Sequence, residues 1–433
     1  MSSKRIMVLT LSFGSGHIRA AQSVVAELQN QMPEVELKLI DALEEFGLFF
    51  RVFYVWTYWA MIRYAPGLWN KFFRARLERR DEQTAPVWAW RKGCPKTFEN
   101  IRRFQPDLII ACEVGACEIA VIARRTRLTN AEIINVITDF EAEPIWVKPE
   151  IAMFSVSNNQ VAEQLQNWGA EIEKIKVCGI PLDASFGTEH DAETTRARLN
   201  LDARPIVLLM GGGMGPTRMS EVAARLLQTG ANFQIVALPA KDEKTKAELE
   251  KLQNSPTVSL HVVGWTSLIA ELMQAADVLA TKPGGLTLSE AAACNLPVVL
   301  FDAIPGPEEE NARWFVGQGA GIKTRGSEET AFEILRLLEN PQQRRQMSEC
   351  AGKLARIDAS EKIVNAVLET LERAEVVEKI FSPSKRLSAY RKMYAAWRKM
   401  EARKIDSKQK PSGANGKEIG VNFKEPISGI EIK

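Results

Sequence analysis

Two series of short apolar runs, each run followed by a turn and an amphipathic stretch, restrict this chain to an α/β fold with parallel sheets. The first series is Ile6 to Leu11, Glu36 to Ile40, Leu108 to Ala111, Ile133 to Ile137 and Met153 to Val156. The second is Ile206 to Met210, Phe233 to Leu238, Val258 to Val263, Val278 to Ala280 and Val298 to Phe301. Two series predict two doubly wound domains, and such domains bind ligands beyond the carboxyl ends of their strands. Between them, Gly179-Ile180-Pro181-Leu182 and the polar residues up to about Arg204 read as a linker. The expected division is an N-terminal α/β domain over 1–183, a C-terminal α/β domain over 184–381 and a basic tail over 382–433. The last helices of the second domain are placed to pack back on the first. With 433 residues and 45% hydrophobic content, the chain can fill both cores.

Several predicted strands end in glycine turns. Thr281-Lys282-Pro283-Gly284-Gly285-Leu286-Thr287 opens a helix predicted to begin near Thr287, with Glu290 one turn in. Glycines there let backbone N–H groups approach a diphosphate, and the helix N-terminus adds positive potential. Glu290 is a candidate acceptor for ribose hydroxyls; Glu308, Glu309 and Asn311, at the next strand end, are candidates for sugar hydroxyls. Gly211-Gly212-Gly213-Met214-Gly215 forms a second backbone cradle, assigned to the diphosphate or the transferred sugar. After the first strand comes Gly14-Ser15-Gly16-His17, in which Gly-x-Gly alone is a weak signal and His17 adds weight as one of only three histidines. Ile137-Thr138-Asp139-Phe140-Glu141-Ala142-Glu143 places three carboxylates just past another strand.

In this order, these motifs resemble the donor-site signature of the GT-B glycosyltransferases that include the monogalactosyldiacylglycerol synthases, the bacterial diacylglycerol glucosyltransferases and, more distantly, the lipid-II N-acetylglucosaminyltransferase. The resemblance runs along most of residues 4 to 365. It implies a GT-B architecture, donor contacts at Pro283, Gly284, Gly285, Leu286 and Thr287, and pairing of the uracil edge with Gly264, Trp265 and Thr266. It makes His17 the candidate base toward an acceptor hydroxyl, with Gly14, Ser15 and Gly16 beside the acceptor and Asp139 or Glu143 in support. The chain departs from the family pattern at three places. Glu143 stands where a histidine is usual, Glu113 lies near another such position, and Pro307 replaces the glutamine of a Pro-Gly-Gln-Glu run.

Twelve of the 33 aromatic residues fall between Phe46 and Phe73, and Arg74, Arg76, Arg79 and Arg80 follow. Arg51 breaks the longest apolar run, which is shorter than the roughly 20 residues that span a bilayer. An interfacial element is expected, with Phe49, Phe53, Trp56 and Trp59 entering the lipid; a core insertion is the alternative. Residues 385 to 410 carry ten Lys or Arg against two acids and read as a basic amphipathic helix attracted to anionic lipid rather than to nucleic acid. The net charge of +2 leaves such local patches as the sole source of attraction to anions. Six cysteines without C-x-x-C or His-Cys spacing predict free thiols and no metal site. A strand directly after Lys4-Arg5 leaves no room for a signal peptide, and a cytoplasmic, peripheral location is expected.

Together these readings imply an inverting transfer of galactose or glucose from UDP-galactose or UDP-glucose to diacylglycerol at an anionic membrane surface, with no cofactor besides the UDP-sugar substrate. Three alternatives stay open: a peptidoglycan-precursor glycosyltransferase, a sugar-nucleotide epimerase and a non-catalytic lipid-binding relative.

Overall fold

Two six-stranded sheets, every strand pair parallel, form the frame of the computed structural model, which describes residues 4–79, 85–212 and 217–380. The first contains β1 (Arg5–Thr10), β2 (Glu36–Asp41), β3 (Leu108–Ala111), β4 (Glu132–Val136), β5 (Ile151–Val156) and β6 (Ile175–Val177), in the order β2-β1-β3-β4-β5-β6. The second contains β7 (Ile206–Met210), β8 (Phe233–Leu238), β9 (Val258–Val262), β10 (Val278–Thr281), β11 (Val298–Leu300) and β12 (Gly321–Lys323), ordered β12-β11-β10-β7-β8-β9. All ten anticipated strands are present. Two three-residue edge strands, β6 and β12, carry too little period to be read from sequence.

Each sheet reverses its winding once, between β1 and β3 in the first and between β7 and β10 in the second. Strands covered by helices on both faces must be apolar on both sides, and β1 is: Ile6 and Val8 enter one core layer, Met7 and Leu9 the other. The C-terminal helix Ala359–Ile380 follows the second sheet in sequence but sends Ile363, Val364, Val367 and Leu371 into the layer of Ile6 and Val8. Contacts divide the chain into Met1–Val377 and Glu378–Lys433, and both sheets lie in the first unit. The anticipated basic tail over 382–433 and the turn residues Gly213, Met214 and Gly215 lie outside the described residues.

The chain crosses between the halves twice, near residues 180 and 356, and the crossings touch. Ser360 Oγ donates to the Leu182 carbonyl at 3.0 Å. Gly179 has φ +102°, and a Cβ there would lie 2.6 Å from Arg356 Cβ, so both conformation and space call for glycine.

A helical hairpin, Leu48–Tyr64 and Pro66–Arg79, rises from the first half. Its aromatic residues divide between two faces. Phe50 and Tyr54 join Phe46 and the buried Trp90 in one ring cluster, with centroid separations of 4.9 to 6.1 Å. Phe49 and Trp56 point outward, 85% and 68% exposed, alongside Val52, Phe53, Leu68 and Phe72. The outward set occurs at 49, 52, 53 and 56, the spacing of one helix face. Trp59 lies in the first of these helices, and its side chain is outside the described ones.

Candidate active site

Both winding reversals open toward the same place, and the loops leaving β1, β3, β7 and β10 meet there. Two cavities result. One, about 180 Å³, is lined by Gly14, Ser15, Gly16, Gly212, Lys282, Gly284, Gly285, Leu286, Thr287 and Glu308 among others. Larger and more apolar, the second (about 360 Å³) lies under the hairpin and is walled by Phe53, Tyr54, Thr57, Met61, Trp69, Phe73, Val114 and Trp146, with Arg76, Glu113, Glu141 and Glu143 as its polar part. Phe13, His17, Tyr58, Asp139 and Pro307 belong to both. Sequence reasoning had no means of finding the apolar cavity, because the inward half of the hairpin reads like its outward half.

His17 sits in the first turn of the helix Ser15–Gln31, directly after the β1 loop. Its Nδ1 is 2.8 Å from Thr138 Oγ1. Burial lowers its pKa below 6.5, with the Asp139 carboxylate opposing that shift. Asp139 is fixed in turn by Asn311, whose Nδ2 donates to Asp139 Oδ1 at 2.8 Å and to the Pro283 carbonyl at 3.2 Å. Asn311 Oδ1 accepts from Phe140 N at 2.8 Å. Fully buried and using its whole amide on protein groups, Asn311 clamps the two halves together instead of facing either cavity. Phe140 and Trp314 stack beside it with centroids 4.2 Å apart.

The halves approach so closely here that Gly285 tolerates no side chain: a Cβ would meet the Thr138 carbonyl oxygen at 2.1 Å. The helix behind it starts at Gly285, two residues before the expected Thr287, with Gly284 as N-cap. Glu290 lies deeper, 1% exposed, and pairs through Oε1 with Arg19 of the opposite half at 2.7 Å. Its Oε2 is buried without a hydrogen-bond partner among the described residues. Desolvation raises its pKa to about 7. Lys282, which is buried, and Glu308, which is half-buried, face the smaller cavity as a charged couple. Burial lowers the Lys282 pKa and raises that of Glu308 to about 7, while each charge opposes the shift of the other. Glu308 Oε2 also accepts from Ile304 N at 2.8 Å, closing the loop between them.

Around the larger cavity the carboxylates are half-buried. Glu113 caps the helix Val114–Arg125, its Oε2 accepting from Gly115 N at 2.6 Å and Ala116 N at 3.2 Å, and burial raises its pKa to about 8. Burial raises the Glu143 pKa, and Arg76 of the hairpin opposes this from 2.7 Å at an angle that makes an ion pair rather than a directed hydrogen bond. Arg76 and Arg19 are the partners that sequence reasoning missed. Pairings across 67 and 271 residues leave no mark in local spacing. Lys282, inside the Thr281 to Thr287 motif, carries no local mark of its burial beside the smaller cavity.

The remaining candidates stand apart from both cavities. Trp265 is 66% exposed with Lys241 Nζ 5.2 Å from its ring centroid. Thr266 Oγ1 accepts from Leu268 N, and Gly264 lies in the open turn before it. Glu309 faces Lys323 at 3.8 Å.

Residues 17–182 match the Monogalactosyldiacylglycerol (MGDG) synthase family, and residues 192–354 match Glycosyl transferases group 1. A processive diacylglycerol beta-glucosyltransferase of Bacillus licheniformis is 28% identical over 392 residues, covering 86% of this chain and 96% of that protein. Its namesake from Staphylococcus carnosus is 26% identical over 386 residues, covering 87% and 96%. In fold, the chain is similar to MurG of Acinetobacter baumannii, with TM-score 0.56 at 15% identity over 84% of this chain and 99% of that one. It is likewise similar to the UDP co-structure of MnaA from S. aureus, with TM-score 0.57 at 15% identity over 85% and 97%. The chain is a glycosyltransferase of GT-B architecture, its first half similar to the MGDG synthases and its second to the group 1 glycosyl transferases.

Proposed function

We propose that this glycosyltransferase moves galactose or glucose from a UDP-sugar to diacylglycerol while its hairpin rests on a lipid surface. The observation that carries the reading is the junction of the two cavities at His17 and Asp139. An apolar chamber opening beneath an exposed aromatic face suits a diacylglycerol, whose one hydroxyl must point toward the polar end. A glycine-lined chamber at a helix N-terminus suits a nucleoside diphosphate sugar. The names of the homologous diacylglycerol glucosyltransferases agree with this pairing.

In the proposed reaction the acceptor oxygen attacks the anomeric carbon as the bond from that carbon to the diphosphate oxygen breaks, with inversion. His17 takes the hydroxyl proton, and UDP leaves with the bonding electron pair. Burial keeps His17 neutral before the step, and Asp139 stabilises the imidazolium formed during it. Backbone amides of the Gly284 to Leu286 turn and the Lys282 ammonium oppose the charge of the departing diphosphate. The orphan Oε2 of Glu290 is the proposed acceptor for a ribose hydroxyl, and Glu308 reads the sugar. The exposed Phe49 and Trp56 face enters the lipid interface; the basic residues of 385 to 410 add attraction to anionic headgroups at the cytoplasmic face.

Purified full-length protein, radiolabelled UDP-glucose or UDP-galactose and vesicles containing diacylglycerol test the reading directly. A labelled glycolipid is expected with one donor. Absence of glycolipid with both, together with transfer to a polyprenyl-diphosphate acceptor or epimerisation of UDP-N-acetylglucosamine, replaces it with one of the two rival enzyme readings.

A further inference from the structure

The hairpin helix Pro66–Arg79 does more than wall the apolar cavity, because it reaches across the cleft and grips a loop of the other half. Trp69 Nε1 donates to the Pro305 carbonyl at 2.8 Å, a bond between residues 236 apart in sequence. One turn on, Phe73 is 3% exposed and lies against Gly306, where a Cβ would sit 3.3 Å from the ring. Gly306 has φ +105°, so the loop is both bent into a glycine-only conformation and pressed flat under that ring. The next residues are Pro307, a wall of both cavities, and Glu308, which faces the smaller one. Glu308 closes the loop from the far side through Ile304 N. Tyr58 meets Trp69 edge-on at 5.1 Å and also lines both cavities. About a quarter turn round the same helix, Leu68 and Phe72 are exposed.

We propose that Trp69 and Phe73 are positioning residues for the donor: by clamping the 304–308 loop they hold Glu308 against the transferred sugar, so that an element of the acceptor side sets sugar affinity. This rests on the donor assignment made under the proposed function. The clamp touches the sugar-reading loop and not the turns assigned to the diphosphate. Its loss therefore falls on recognition of the hexose and spares recognition of UDP.

Calorimetric titration of full-length protein with UDP-glucose, UDP-galactose and UDP tests the inference without requiring turnover. Trp69→Phe keeps an aromatic ring and removes the N–H donor; the expected result is about three- to tenfold weaker binding of the preferred UDP-hexose, the usual effect of one hydrogen bond, with UDP affinity changed less than about twofold. Phe73→Leu, which loosens the ring against Gly306, is a second variant with the same expected selectivity, and thermal melting establishes that each is folded. Equal weakening of UDP and UDP-hexose, or no change in either, overturns the inference. The transfer assay separates it from the underlying reading. Wild-type glycolipid synthesis with unchanged UDP-hexose binding in Trp69→Phe sinks the clamp alone, whereas selective loss of hexose binding in a protein that makes no glycolipid sinks the diacylglycerol reading alone.

Discussion

Burial and a neighbouring carboxylate pull the His17 pKa in opposite directions, and burial wins. The acid limb of kcat/KM is therefore expected below pH 6.5, and His17→Ala should lower turnover by roughly 10² to 10⁴ with little effect on UDP affinity, the span usual for general-base catalysis. Rate profiles and UDP titration of the variant check both. Glu113 gives a stability signature of the opposite kind. Its folded pKa of about 8 lies above its ordinary 4.5, so its contribution is complete at pH 4 and is lost as pH rises through 8. Glu113→Gln keeps a capping oxygen but cannot titrate. Its melting temperature relative to wild type should rise between pH 5 and pH 8, and a constant difference would show that Glu113 does not titrate there. That His17, Asp139, Glu308 and the Gly284-Gly285 turn line the cavities was legible in sequence because each lies in the loop or first helical turn that follows a strand. Asn311 and Glu290 show the limit. The sequence marks them as polar groups near the donor, but whether an amide faces a ligand or Asp139 depends on a partner 172 residues away.

At the scale of elements, the hairpin was legible as aromatic and not as two-sided. Counting aromatics over Phe46 to Phe73 could not separate an interfacial surface from a core insertion, and the hairpin divides its rings: Phe50 and Tyr54 pack on Trp90 while Phe49, Val52 and Trp56 face outward. Replacing Phe49, Val52 and Trp56 by serine should lower binding to neutral phosphatidylcholine vesicles, since apolar insertion is independent of lipid charge. Melting temperature should change little because these side chains are already exposed. Vesicle sedimentation at low and high salt measures the first effect. Undiminished binding by a folded variant would assign lipid contact to another surface.

Across the whole molecule, the α/β class followed from alternating strand and helix periods, which depend on local sequence alone. Strand order depends on long-range packing and had no local mark, whereas the expected return of the last helix shows in its apolar stripe. Ile363, Val364, Val367 and Leu371 bury against the first sheet, each at about 1.5 to 3 kcal/mol. Together they rival the whole stability of an ordinary domain, about 5 to 15 kcal/mol. A chain ending at residue 358 should therefore aggregate or melt at much lower temperature, whereas one ending at residue 380 should melt as the full chain does. Calorimetric scans of the two truncations decide this.

The touching crossings at Gly179 and Arg356 have a mechanical consequence. A single tether would leave the halves free to swivel, but two tethers side by side remove torsion and leave one rotation, like a book on its spine. Every ångström of opening at the spine is levered into more at the far edge of the cleft. A side chain added at Gly179 would meet Arg356 and push the two tethers apart, shifting the axis about which the halves could turn.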